Sequence, residues 1–505
     1  MNFLTDLLEH QKRCVEKLRR IKIGALYMEM GTGKTRTALE LINIRLEKQR
    51  IEHVIWLCPC SVKENLRRDI IFHTGQDYKD LITICGIETL SSSIRANSYL
   101  LSLVETKQCF IIVDESNLVK NFTCKRTKNI IRIAEKCKYK LILNGTPISK
   151  NEADLFAQWY VLDWRVLGYK SYWSFAANHL EYSELIPGKL VRCLNVDYLA
   201  EKIAPYTYQV KKEECLDLPE KTYETIYYNL TKEQDEHYEE VANKLFFYVD
   251  ELEPNTIYRL FSGLQSVISG YKVDVLEETY EIIDERDVHE QMKIKKTRIV
   301  GTRKSDFFSK IEDNPRIQTL LEIVKKIDDK IIIFAKYTDE INNIIKILNN
   351  TYGKDSAVAF NGKLSQKRRN ENLDKFRNES RFLVANKNCG SYGLNLQFCN
   401  YVIYYSNDWD YGTRVQSEDR VHRIGQNKNV HLIDICAAYT LDERIIKCLE
   451  KKENLLNAFK KEIENTKDNE ELFSWITVRT SFGSKFKYKN KKIKNLDRSD
   501  LIENI

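Results

Sequence analysis

Glycine and proline are scarce in this 505-residue chain, at 18 and 7 residues. That scarcity excludes a collagen-like or low-complexity architecture. No apolar run approaches the roughly 18 residues that a membrane-spanning helix needs, so no membrane association is expected. The 13 cysteines contain no CxxC pair, and the closest two, Cys58 and Cys60, flank Pro59. Neither a zinc module nor a disulfide framework is supported, and buried free thiols in a reducing compartment are expected. A signal peptide is also missing: "MNFLTDLLEHQKRC" carries acids and a histidine where an apolar segment would stand. A cytoplasmic location follows as the expectation, the host cytoplasm for a viral protein. Large net charge is absent too. The balance of +7 permits nucleic-acid binding without arguing for it.

What is present suits a globular protein, with 43% hydrophobic and 30% charged residues. The length calls for two to four domains. Abundant isoleucine, asparagine, lysine and tyrosine hint at an AT-rich coding genome, as in a bacteriophage, another virus or a small-genome microbe. Short apolar runs alternate with amphipathic stretches from the N-terminus: "ALYMEM" (25–30), "HVIWLCP" (53–59), "LITICG" (81–86), "CFIIVDE" (109–115) and "YKLILNGTP" (139–147). The alternation returns with "KIIIFAK" (330–336), "AVAFNG" (357–362), "RFLVAN" (381–386), "YVIYYS" (401–406) and "VHLIDICA" (430–437). Such patterning is the mark of parallel βαβ units. The expected organisation is an α/β lobe over 1–160, a helical insertion and linker over 161–312, a second α/β lobe over 313–455, and a tail over 456–505. Residues 272–313 run acidic and then basic without clean periodicity. The tail carries "SKFKYKNKKIKN", which would serve equally as a binder of phosphate backbones or as a solubilising end.

"MEMGTGKTRTALELI" (28–42) reads as a strand, a glycine-bracketed turn and a helix. Backbone N–H groups of Gly31, Thr32 and Gly33 can wrap phosphates, Lys34 can reach the β- and γ-phosphates, and the Thr35 hydroxyl can hold Mg²⁺. Met28 stands where the full P-loop pattern has glycine. Alone, this segment also suits a capped turn beside a surface lysine. Eighty residues after Lys34, Asp114 and Glu115 close an apolar strand. Ligands of parallel sheets gather at such carboxyl ends. There Asp114 can hold Mg²⁺ and Glu115 can polarise an attacking water. Together the two features point to hydrolysis of Mg-ATP.

Beyond these, "DESNLVKN" (114–121) resembles the DEAH-type motif of helicase superfamily two in its Swi/Snf form. "CPCSVKENLRRDI" (58–70), "GIETLSS" (86–92) and "LILNGTPISKN" (141–151) are similar to motifs Ia, Ib and III, and "LLEHQKRCVEKL" to the stretch before the P-loop. "YGLNLQFCNYVIYYSNDWDYGTRVQSEDRVHRIGQ" (392–426) resembles motifs V and VI. Ser116-Asn117, Asn144, Ser391, Ser406 and Tyr411 depart from the family pattern, and none of these replaces a catalytic group.

The resemblance implies two RecA-like lobes around a DNA-stimulated ATPase. Arg420 and Arg423, spaced to share one helix face, would act as arginine fingers on the γ-phosphate. Gln11, Gln416 and Gly393 would line the nucleotide site. Ser61, Lys63, Thr89, Lys120, Asn121, Asn361, Gly362, Asn388 and Asn395 would grip nucleic acid. A monomeric translocase on double-stranded DNA is the implied function. A strand-separating DNA or RNA helicase, an ATP-switched DNA clamp without turnover, and an RNA-associated ATPase working through a protein docked on 272–313 are the alternatives. Trp409 is either a core residue at a strand end or a wedge near DNA.

Overall fold

The computed structural model describes residues 1–145, 152–182, 190–246, 254–283, 293–386, 394–465 and 469–478. Two compact units emerge. The first comprises Met1–Pro219, Gly390–Phe398 and Glu418–Asn427, and the second Glu220–Cys389, Cys399–Ser417 and Lys428–Ile505. The stretch 161–312 therefore divides between them after Pro219. Each unit holds a six-stranded, wholly parallel sheet flanked by helices, the RecA-like α/β architecture.

In the first unit β1 (Ile23–Met28), β2 (His53–Cys58), β3 (Ile82–Gly86), β4 (Cys109–Asp114) and β5 (Tyr139–Asn144) fall on the apolar runs. A short antiparallel pair follows, β6 (Leu180–Tyr182) and β7 (Leu190–Cys193). The edge strand β8 (Thr207–Val210) then completes the sheet order β3-β2-β4-β5-β1-β8. Successive side chains of a strand face opposite ways, and here they sort cleanly into two cores. Ala25, Tyr27, Ile55, Leu57, Ile111, Val113 and Ile142 enter one. Leu26, Met28, Val54, Trp56, Phe110, Ile112, Leu141 and Leu143 enter the other. A strand buried on both faces reads as an unbroken apolar run, which is why these strands are legible in the sequence. β8, with the polar sequence TYQV, is not.

The second unit begins with β9 (Lys221–Tyr228). Next comes an antiparallel ribbon, β10 (Tyr271–Ile283) with β11 (Lys293–Asp306). Four parallel strands follow, β12 (Ile331–Phe334), β13 (Ala357–Phe360), β14 (Phe382–Ala385) and β15 (Tyr401–Tyr404), and then β16 (Val430–Ala437). The sheet order is β13-β14-β12-β15-β16-β9. Residues 272–283 and 293–306, which show no clean period in the sequence, are the two strands of this ribbon. Its base is anchored by Val273 and Ile299 in the unit's core. The expected helices of the insertion are present as Lys232–Phe246 and Pro254–Ile268, and both pack into the same core. The described cysteines are all free thiols, most of them buried. Among the described residues no helix is long and apolar enough to cross a membrane.

One buried ion pair braces the second unit. Arg316 donates to Asp442 Oδ2 at 2.5 Å and to the carbonyl of Ile435 at 3.2 Å, and both side chains are almost wholly out of water. Removing one partner strands the other charge, at a cost of about 3–5 kcal/mol. Asp442→Ala is therefore expected to lower the unit's denaturation midpoint by that free energy in urea unfolding. A loss of under about 1 kcal/mol would mean that the pair braces nothing.

Candidate active site

The phosphate loop lies between β1 and the helix Lys34–Glu47, and its shape is set by two glycines in the left-handed region. Gly31 has φ +82° and Gly33 φ +86°, a conformation that a Cβ disfavours. Space excludes a side chain as well. A Cβ on Gly31 would lie 3.0 Å from Arg423 Cβ, and one on Gly33 would fall onto the Gln11 amide. The loop is buttressed from behind. The carbonyl of Thr32 accepts from Gln11 Nε2 at 3.1 Å and lies 2.8 Å from His10 Nε2. Thr32 Oγ1 donates to the carbonyl of Glu29 at 2.7 Å. Gln11 also accepts from the backbone N of Leu8 at 3.0 Å, and it is almost fully buried. Gln11, expected at the nucleotide, has its amide engaged in shaping the phosphate loop.

Lys34 folds back onto the loop, donating to the carbonyls of Met28 at 2.8 Å and Glu29 at 3.3 Å. Burial pulls its ammonium below the usual lysine range, against the opposing pull of Glu115, Asp114 and Asp419. Thr35 follows in the first turn of the same helix. Across the sheet, β4 delivers Asp114 and Glu115. Glu115 sits at φ +50°, a left-handed value uncommon outside glycine. Its backbone N donates to Asp114 Oδ1 at 2.9 Å. Burial, with Glu115 beside it, pushes the Asp114 carboxyl up to about 7.

Arg420 and Arg423 share this unit with the phosphate loop, but they are not on a helix. The helix Tyr411–Glu418 stops short of both. The chain then turns, with Gly425 at φ +93°. The carbonyl of Arg420 is held by Leu396 N at 3.1 Å. The expected helical i, i+3 face is thus replaced by a turn that brings both guanidinium groups inward. Arg423 Nη1 donates to Asn395 Oδ1 at 2.5 Å. Asn395, expected as a nucleic-acid grip, also bonds to Asp69 and so stands in the charge cluster. Burial, then repulsion from Arg423, pulls Arg420 down to about 10, while Glu115, Asp419 and Asp69 oppose the shift. Burial likewise lowers Arg423 and raises Asp69. The Nε atoms of Arg420 and Arg423 are buried without a hydrogen-bond partner among the described residues.

These features fit a magnesium nucleotide. Two glycines leave a side-chain-free cradle at a helix N-terminus. Two buried guanidinium N–H groups lack an acceptor among the described residues. Two adjacent carboxyl groups, one with its acidity suppressed, suit a divalent cation.

The remaining expected residues are scattered. Gln416 is on the helix Tyr411–Glu418, in the second unit. Ser61 lies in the short turn Cys60–Val62, and Lys63 opens the helix that follows. Thr89 Oγ1 lies 3.3 Å from Cys60 Sγ, so the loops after β2 and β3 meet. Lys120 pairs with Asp154 at 3.6 Å. Asn121 accepts from Thr123 N and Oγ1 at 3.0 and 2.8 Å. Asn361 is buried and accepts from Lys363 N at 3.1 Å, closing the turn after β13. Its neighbour Gly362 is exposed. Gly393 and Asn388 lie outside the described residues, as do most of motif III after Gly145 and the lysine-rich tail. Trp409 packs against the second unit's core and donates to Gln265 Oε1 at 2.6 Å, the core reading of that residue.

Sequence reasoning missed His10, Asp69, Lys212 and the part played by Asp419. Asp419 sits inside the motif VI string. His10 adjoins Gln11. Asp69 lies inside the stretch 58–70 that is similar to motif Ia, and Lys212 carries no local signal.

The SNF2-related domain family matches residues 10–266, and the helicase conserved C-terminal domain matches residues 315–425. The chain belongs to the SNF2-related family. YwqA of Bacillus subtilis is 26% identical over 473 residues, covering 87% of this SNF2-related chain and 46% of YwqA. The chain thus spans about half the length of that relative. YqhH of the same organism, an uncharacterized ATP-dependent helicase, is 23% identical over 470 residues, covering 92% of this chain and 80% of its own. The Hef helicase domain of Pyrococcus furiosus shares the fold, with a TM-score of 0.53 at 12% identity over 89% of this chain and 100% of that one.

The cradle geometry makes a direct prediction for this SNF2-related chain. Gly33→Ala adds a Cβ where the Gln11 amide lies and forces alanine to a positive φ. Binding of a fluorescent ATP analogue is expected to weaken at least tenfold. Affinity within twofold of the wild type would show that the loop does not cradle phosphate.

Proposed function

We propose that this SNF2-related chain is an ATP-hydrolysing motor that translocates on double-stranded DNA, converting ATP to ADP and phosphate. The observation that carries the reading is the gathering of Lys34, Asp114, Glu115, Arg420 and Arg423 in one unit, with buried guanidinium N–H groups lacking acceptors.

Gly31, Thr32 and Gly33 present backbone N–H groups to the β- and γ-phosphates. Lys34 exchanges the carbonyls of Met28 and Glu29 for phosphate oxygens. Thr35 and Asp114 would hold Mg²⁺, which would supply neutralisation of the phosphate charge. Glu115 accepts the proton of a water as its oxygen attacks the γ-phosphorus. The bond from that phosphorus to the bridging oxygen breaks, and ADP leaves. Arg420 and Arg423 take up the charge that gathers on the γ-oxygens, where desolvated donors act most strongly.

The polynucleotide partner rests on the family resemblance and on the loops after β2 and β3. Ser61, Lys63 and Thr89 there offer hydroxyl, ammonium and helix N-terminal groups, which suit phosphates without reading bases. Swi/Snf-type motors track duplex DNA rather than separating its strands, which favours translocation over unwinding. Triplex displacement without strand displacement is the expected result in helicase assays. Strand separation of a forked duplex would move the reading to an unwinding helicase.

Steady-state ATPase assays with duplex DNA, single-stranded DNA, RNA or no polymer test the motor. Duplex DNA is expected to stimulate most, and Lys34→Ala to abolish turnover. Equal rates without any polymer would overturn the translocase reading. Arg423→Ala is expected to bind ATP normally and to turn over roughly 10³-fold more slowly, the scale of an arginine finger. Unchanged turnover would remove that residue from the mechanism.

A further inference from the structure

The corner behind the phosphate loop is built by β8. That strand runs parallel to β1 with Met28 beside Val210, and Glu29 N donates to the carbonyl of Val210 at 3.2 Å. Two residues later, Lys212 N donates to Glu29 Oε2 at 2.8 Å. The Lys212 side chain then runs past the loop. Its Cε lies 3.8 Å from where a Gly31 Cβ would stand. Its ammonium donates to the Asp419 carboxylate and, at 2.9 Å, to the carbonyl of His422. Lys212 is 8% exposed, so these acceptors replace water. Asp419 and His422 bracket Arg420, and Arg423 follows directly.

We propose that Lys212 is a latch that seats the arginine turn on the phosphate loop, making it a positioning residue for Arg420 and Arg423. The catalytic consequence rests on the ATP-hydrolysis reading, whereas the latch itself does not. Two arguments carry it. Arg420 and Arg423 repel one another while both are removed from water, a cost set against the holds of Leu396 N on the Arg420 carbonyl, Asn395 and Asp69 on Arg423, and the Pro219 carbonyl on His422. Asp419 adds attraction from within the turn, and its partner is Lys212. The second argument concerns Asp419. Both Lys34 and Arg420 feel its charge. An ammonium has three donors and no acceptor, and by holding Asp419 it keeps that carboxylate from neutralising the two cations meant for phosphate. Without Lys212 the turn would loosen, and Asp419 would compete with the nucleotide.

The turn carries amides that report its state. His422 N and Val421 N donate to the carbonyl of Glu418 at 2.9 and 3.0 Å, and Gln426 N to that of Arg423 at 3.0 Å. Hydrogen exchange on the full chain without nucleotide should therefore show Lys212→Met deprotecting 418–427 at least tenfold while β1 to β5 keep their protection. Lys212→Arg should restore it. Unchanged exchange at 418–427 overturns the latch. Should Lys212→Met lose protection throughout the unit, Asp419→Asn decides, since it removes the same contact from the turn's side. It must deprotect 418–427 alone, and no change there overturns the proposal.

In ATPase assays Lys212→Met should lower kcat at least tenfold with KM for ATP within threefold, and the double variant with Asp419→Asn should be no slower than the worse single variant. Turnover within twofold of the wild type, or losses that multiply, overturn the positioning role. A wild type without ATP turnover would refute the hydrolysis reading, and the exchange result would still decide the latch.

Discussion

A cation stripped of water and left without a full set of acceptors is the constraint from which the candidate site follows. Burial weakens the protonated forms of Lys34, Arg420 and Arg423. The surrounding carboxylates offset this only in part, because burial also raises Asp69 and Asp114. Desolvating a charge is costly unless a partner of opposite sign arrives with good geometry. Here the shortfall falls on two neighbouring side chains: the buried Nε–H groups of Arg420 and Arg423 have no acceptor among the described residues. A triphosphate supplies oxygens and negative charge together. The cluster is therefore under tension of a kind that such an anion relieves, which couples phosphate binding to the seating of the arginine turn.

The sheet makes this cluster possible by ordinary means. Parallel strands place their carboxyl ends along one edge, so β1 delivers the loop and β4 delivers Asp114 and Glu115. The strand neighbouring β1 on its outer side is β8, the first unit's edge strand. Its pairing with β1 puts Lys212 beside Glu29. The brace on the arginine turn is thus a product of strand register. Shifting β8 by one residue would turn its side chains to the opposite face and carry the ammonium away from Asp419.

How much of this could be read beforehand depends on the kind of signal. The buried strands announce themselves because burial on both faces demands continuous apolar residues, as in "HVIWLC" and "VHLIDICA", which are β2 and β16. The edge strands do not, since TYQV and KTYETIYY are half-exposed and resemble linker. The ribbon β10–β11 was hidden by its run of acidic and then basic residues without clean periodicity. The phosphate loop and the acidic pair were legible because their chemistry is local. The arginines were legible as residues but not as geometry. Spacing suggested a helix, and the turn that replaces it is decided by Gly425 and by a bond from Leu396, which no window around Arg420 contains. Gln11 and Asn395 were noticed for the right neighbourhood, yet their amides are engaged by Thr32 and Arg423. The parts played by Asp69 and Lys212 were invisible because each acts on residues far away in the chain.

Glu115 adds a tension of another kind. Its backbone occupies a region that glycine enters freely and that costs other residues of order 1 kcal/mol. The chain bears that strain at the position where a carboxylate would face water. Natural drift toward a sturdier fold would favour glycine there, and each such step would silence the carboxylate. At residue 115, durability and chemistry pull in opposite directions.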